Sequence, residues 1–301
     1  MTSNRPSIPI KVSRVQPGLC SVTLRSQTPD AVVRVATTAG LRSIEWGADT
    51  HVPVGDTSRA RHVLGLTTDA GLRVASYGSY LHLGFSSRKE HDLVLKTAVA
   101  LGAPRVRVWA GRCGSADADA DQWATVVEDA RVFADSAAEV GVQVGLEFHG
   151  GTLTDRAEST ARLLTDVDRS GLLGTYWQPP YGLTDTEALA GLEMIADHVL
   201  AVHAFSWDST GRRHPLEARQ HLWKSALHLL KQAGRSTDVL LEFVLDDSPA
   251  QVKHDATALL SLLDATPPSR SPGSDTLVRR WNEQCTSVLS HAEHGMAAGR
   301  T

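Results

Sequence analysis

Three ionisable residues stand inside otherwise apolar runs of this chain: Glu147 in GLEFHGG, His203 in AVHAFSW and Glu242 in LLEFV. A charge or imidazole buried in such a run is costly unless it is paired, hydrogen-bonded or bound to a metal. Gln178, in TYWQPPY, adds an amide oxygen between the first and second of them. Two carboxylates, an imidazole and a carbonyl oxygen suit one hard to borderline divalent cation, such as Mn2+, Mg2+, Co2+ or Zn2+. One glutamate at a strand end is more often salt-bridged than ligating, and one strand histidine is more often a satisfied core residue. Four such groups, each about one strand–helix unit from the next, point instead to a metal centre.

To converge, these side chains need strands that end at a common rim. The chain alternates short β-rich runs with longer helical patterns. Strand candidates are 18–24, 41–46, 72–76, 105–109, 142–148, 172–177, 199–205 and 239–244. Most are continuously apolar, as in strands covered on both faces. Helical periodicity is clearest over 122–140, where Trp123, Val126, Val127, Ala130, Phe133, Ala134 and Ala137 make one stripe. Gly40, Gly71, Gly102, Gly141, Gly171 and Gly234 follow helical segments as C-terminal stops. Eight units in roughly 245 residues give an α/β fold of the (β/α)8 TIM-barrel type. A doubly wound sheet would normally carry a glycine-rich phosphate turn after its first strand. Here that turn reads Arg25-Ser26-Gln27-Thr28-Pro29-Asp30, and neither G-x-G-x-x-G nor a Walker A sequence occurs. In such a barrel the C-terminal strand ends carry the active site, which is where the four donors fall.

Composition narrows the partners. The net charge is -4 and the pI is near 6.3, which gives no support for a nucleic-acid backbone as partner. Three cysteines without C-x-x-C spacing argue against a disulfide framework or a thiolate zinc site. The N-terminus lacks the apolar segment of a signal peptide, and no run of 18 apolar residues occurs, so a cytoplasmic protein without a membrane partner is expected. One barrel domain is expected over 1–265. A Pro/Ser-rich linker and tail follow over 266–301, with 278–292 forming one extra helix.

The strand-end segments IEWGADTHVP, GLEFHGG, AVHAFSW and LLEFV resemble those of the xylose-isomerase-like barrels, the sugar phosphate isomerase/epimerase superfamily. The resemblance covers about residues 18–263. It implies a single divalent ion held at the ends of strands five to eight by Glu147, Gln178, His203 and Glu242. It also implies a small carbohydrate-like substrate, and it admits a homo-oligomer. Glu147 and Glu242 are then expected to ligate and to exchange protons at the carbon beside a carbonyl, through an ene-diolate stabilised by the metal. The leading expectation is a metal-dependent isomerase or epimerase of sugar-like keto/hydroxy compounds. A lyase or dehydratase acting on an inosose or keto-glycoside is the neighbouring alternative, since the same ene-diolate can expel a β-substituent. Two departures stand out. The family usually shows Asp where Gln178 stands, which removes a charge, and often a His where Tyr181 stands.

Further candidates for substrate contact are Glu45, Trp46, Trp109, His149, Tyr181, Trp207 and Arg212. Trp46, Trp109, Trp177 and Trp207 fall at or near strand ends and suit an apolar wall. His149 shares a strand side with Glu147, while His51 and His82 are further acid/base or supporting candidates. The Arg212-Arg213 pair offers a phosphate contact. A nuclease of the endonuclease IV branch ranks low because the strand-end histidine set is thin and the net charge is negative. A non-catalytic binding barrel is favoured only by Gln178.

Overall fold

The computed structural model describes residues 15–265. Eight strands close into a ring in which every adjacent pair is parallel. They are β1 (Val15–Cys20), β2 (Ser43–Gly47), β3 (Arg73–Leu83), β4 (Arg105–Ala110), β5 (Gln143–Leu146), β6 (Leu173–Trp177), β7 (Val199–Ala204) and β8 (Thr237–Leu241). The helices between and after them are α1 (Pro29–Thr38), α2 (Thr57–Asp69), α3 (Arg88–Ala100), α4 (Ala120–Glu139), α5 (Ala157–Val167), α6 (Asp185–Ile195), α7 (Gln220–Gln232) and α8 (Pro249–Asp264). The (β/α)8 expectation therefore holds. The proposed linker and tail over 266–301 lie outside the described residues. Among the described residues no helix is long and apolar enough to cross a membrane.

Local chemistry sets the boundaries. Ser87 with Glu90, Asp119 with Gln122 and Thr184 with Glu187 form reciprocal capping boxes that start α3, α4 and α6. Six glycines expected to stop helices all adopt positive φ, from 65° at Gly102 to 86° at Gly171, a conformation that costs residues with a Cβ. The apolar stripe expected on α4 is the set it buries. The first strand differs most from expectation. It ends at Cys20 because Ser21–Leu24 turn into a 3-10 helix, which no periodicity distinguishes from four more strand residues.

Apolar packing lies mainly between strands and helices. The lumen is filled differently, by ion pairs together with a second, small apolar cluster that includes Cys20, Tyr176, Ala201 and Leu240. Near the N-terminal end, buried Asp238 accepts from Arg105 at 2.9 Å and from Ser43 at 3.1 Å, and it also pairs with Arg73. One layer higher, Arg107 from β4 spans the interior, and Gly78 leaves it room. A Cβ at Gly78 would stand 3.0 Å from the Arg107 guanidinium and 3.1 Å from Glu45 Oε1. Gly78→Ala is therefore expected to displace this pair and lower the melting temperature by several degrees, about 1–3 kcal/mol of overpacking, measurable by a thermal scan.

Candidate functional site

Alternation carried through the ends of β5 to β8 sends His203, and Glu147, Gln178 and Glu242 one residue beyond their strands, to one place at the C-terminal end of the lumen. His203 Nδ1 is the point of convergence. It lies 3.2 Å from Gln178 Oε1, 3.4 Å from Glu147 Oε1 and 3.3 Å from Glu242 Oε2. Ligands about 2.1 Å from a common ion stand roughly 3.0–3.4 Å apart along the edges of the coordination shell, so these separations fit a metal. Glu242 Oε2 is also buried with no hydrogen-bond partner, an arrangement costly in a protein interior unless something else meets it. Glu147, His203 and Glu242 thus form a buried group able to hold a metal ion, and the Gln178 oxygen points into the same group.

Arg107, absent from the residues expected at the site, joins this group. Its guanidinium donates to Glu147 Oε2, and its Nε lies 3.5 Å from Glu45 Oε1. Trp109 Nε1 donates to the same Glu147 oxygen. The signal was available, since an arginine inside the apolar run VRVWA carries the same burial cost as Glu147.

These contacts divide the two carboxylates. Burial alone would raise the Glu147 pKa, but Arg107 and His203 hold it well below the usual carboxylate range. Glu45 is held down in the same way by Arg107, His203 and Ser76 against burial. Glu242 has the opposite fate: burial, with Glu147 and Glu45 nearby, raises it to about 7 despite His203 and Arg107. For His203, burial favours the neutral ring, but Cys20, Glu242 and Glu45 raise it well above the ordinary histidine value.

The raised values make the metal-free protein lose stability as pH rises. Folded Glu242 holds its proton up to about pH 7 and an unfolded one only to about its ordinary 4.5, so ionisation in this window disfavours folding. The raised His203 stabilises at low pH and loses that contribution as pH climbs through its folded value. Chelator-treated protein is expected to melt at a lower temperature at pH 8.5 than at pH 6.

Charge counting gives the glutamine a rationale. Glu45, Glu147 and Glu242 surround Arg107 and His203. With a divalent ion present and a neutral imidazole, these charges cancel. An aspartate at 178 would add a negative charge beside these buried groups without a matching cation.

The remaining expected contacts scatter. Glu45 lies beneath His203, hydrogen-bonded by Ser76 at 2.6 Å and buried. Trp46 is a correction: adjacent to inward Glu45, it must face out, and it is fully buried with Nε1 bonded to Thr67 on α2. Trp177 likewise packs outward on Trp223 of α7. Trp109 and His149 do stand at the rim, their rings 5.2 Å apart, with His82 4.7 Å from Trp109 on its other contact. His51 is buried between Ser21 and the Gln27 carbonyl. Tyr181 and Trp207 line a cavity of about 350 Å3 together with Pro179, Pro180 and Phe205. Arg212 is exposed and outside that lining, while Arg213 is engaged by Asp247 at 2.7 Å and by the Phe243 ring.

Comparison with known proteins agrees with this architecture. A curated 3-dehydroshikimate dehydratase from Bacillus anthracis is 28% identical over 163 residues, 51% of this chain and 58% of the relative. The match thus spans under two thirds of that relative's length. The crystal structure of the probable 3-DHS dehydratase of petrobactin synthesis, also from Bacillus anthracis, superposes with a TM-score of 0.67 at 18% identity, covering 82% of this chain and 99% of the other. A D-psicose 3-epimerase with D-tagatose, from Clostridium cellulolyticum H10, gives 0.60 at 13% identity over 83% and 98%. The model of the xylose isomerase-like TIM barrel family matches residues 33–262. The chain belongs to the xylose isomerase-like TIM barrel family.

Proposed function

We propose that this protein is a divalent-metal-dependent carbon–oxygen lyase, a dehydratase of small hydroxy-keto, carbohydrate-like compounds, with Glu242 as the proton acceptor. The observation that carries this reading is the asymmetry of the two carboxylates. Glu147 is tied through one oxygen by both Arg107 and Trp109, whereas Glu242 keeps a buried oxygen without a hydrogen-bond partner. A carboxylate oxygen without a hydrogen-bond donor is open to take a proton, and one that accepts from both a guanidinium and an indole is a poor base. Epimerisation through two bases needs matched groups on both faces of the carbon. Elimination needs one.

A divalent ion held by Glu147, Gln178, His203 and Glu242 would supply Lewis-acid polarisation of the substrate carbonyl. Glu242 takes the proton from the carbon beside that carbonyl. The released electron pair becomes the new carbon–carbon double bond, and the β-hydroxyl departs as water with one added proton. His149 at the rim is the candidate donor of that proton. Trp109, Phe205 and Trp207 provide apolar surface for the carbon skeleton and limit water entry. The dehydratase relatives support the same reaction class.

A sugar isomerase or epimerase is the second reading. It is favoured by the position of Glu147 Oε1 and Glu242 Oε2 on a common imidazole nitrogen, at 3.4 and 3.3 Å. Incubation in D2O with 3-dehydroshikimate and with ketohexoses separates the two. Loss of water supports the lyase, whereas deuterium at carbon with every hydroxyl retained overturns it in favour of the epimerase. Metal uptake is tested independently by calorimetry in buffers of different ionisation enthalpy. Binding is expected to release about one to two protons, from His203 and Glu242, and to tighten as pH rises.

A further inference from the structure

We propose that Glu45 is the positioning residue of this centre: it keeps the proton of His203 on Nε2 and so turns the Nδ1 lone pair toward Glu147, Gln178 and Glu242. This inference rests on the metal reading above for its consequence, but not for its geometry. The two nitrogens of the imidazole face different partners. Nδ1 faces the three oxygens at the mouth of the centre, and Nε2 lies 3.3 Å from Glu45 Oε1. Nε2 is buried without a well-aligned hydrogen bond, so Glu45 is the acceptor that a small rotation of the ring would engage.

Glu45 is built to serve as a fixed acceptor. Its register neighbours are Cys20 on β1 and Ser76 on β3. Ser76 Oγ donates to Oε2 at 2.6 Å, the Cys20 thiol lies 3.7 Å from Oε1, and Arg107 Nε lies 3.5 Å from Oε1. These three contacts from three strands leave the carboxylate little freedom. The Tyr176 ring meets the imidazole edge-on at 5.3 Å and restricts its plane. The missing Cβ at Gly78 keeps the space that Glu45 and Arg107 occupy. A metal-ligating histidine generally needs such a partner on its second nitrogen, because the partner sets the tautomer and strengthens the ligand. Through Arg107 the same carboxylate is linked to Glu147, so one residue supports two of the four donors.

Glu45→Gln preserves shape and removes the charge. Affinity for Mn2+ and Co2+, measured by competition with a fluorescent chelator, is expected to fall by about 10–100-fold. In ¹⁵N-histidine spectra of the metal-free protein, taken at a pH high enough to leave His203 neutral and with the residue assigned through His203→Gln, the Nε2–H proton resonance should move upfield as the carboxylate acceptor is lost. Ser76→Ala, which retains the carboxylate and the buried pair, should move both readouts in the same direction by a smaller amount. It keeps the test decisive if Glu45→Gln fails to fold. Unchanged affinity, or an Nε2–H resonance indifferent to both substitutions, overturns the proposal. If the wild type takes up no ion, the metal reading falls alone, and the metal-free spectra still decide the role of Glu45.

Discussion

Arg107→Met is expected to destabilise the protein by about 3–5 kcal/mol, because it leaves the Glu45 and Glu147 carboxylates buried without their cation. Both have negligible exposure, so solvent cannot replace the guanidinium. The methionine fills much of the volume, which makes lost charge compensation the main effect. Urea unfolding of the metal-free protein at pH 7 measures it. Adding Glu147→Gln in the Arg107→Met background should recover part of the loss, since one stranded charge is removed. A loss below about 1 kcal/mol, the range of exposed pairs, would mean that water reaches the lumen and that the division of roles between Glu147 and Glu242 has no electrostatic basis.

Glu242→Gln is expected to lower kcat by about 10²–10⁴-fold, the usual range for loss of a general base, while retaining a bound ion through its amide oxygen. Glu242→Ala should lose both turnover and the ion. The informative comparison is Glu147→Gln. If elimination proceeds from one carboxylate, its kcat should fall by less than about tenfold, because Glu147 does not move the proton. Equal losses in the two glutamine variants would mark a two-base exchange, and the epimerase reading would replace the lyase. Deuterium exchange at the substrate carbon, followed in each variant, gives the same answer independently of product detection.

The barrel was legible because eight apolar runs and six positive-φ glycines repeat with one period, and repetition survives local ambiguity. The four-donor convergence was legible for a related reason: each donor is an exception in an apolar run. Arg107 has that signature too, but a guanidinium is no metal ligand, and its place beside Glu147 emerges only when β4 and β5 pair. The tryptophans show where sequence gives least. Trp46 and Trp109 both lie near strand ends, and only the parity of each strand sends one to α2 and the other to Glu147. Parity is set by pairing across the sheet, where β2 and β3 shift register between Ile44 and Glu45, and no single strand reveals such a shift. Glu45 illustrates the same limit, since a strand-end position suggested substrate contact and depth within the lumen assigns it to His203.

The depth of the centre bears on time as well as on affinity. Glu147, His203 and Glu242 are each at most 3% exposed, and the barrel beneath them is plugged by the Asp238 cluster. An ion bound there would enter from the C-terminal rim and exchange its water for these buried ligands. Exchange would then be slow relative to handling of the protein, and the metal carried by a preparation would record which ion was abundant while the chain folded. Preparations grown in different media would differ in activity at equal purity until the centre is emptied by chelation at low pH, where protons compete for His203 and Glu242, and refilled.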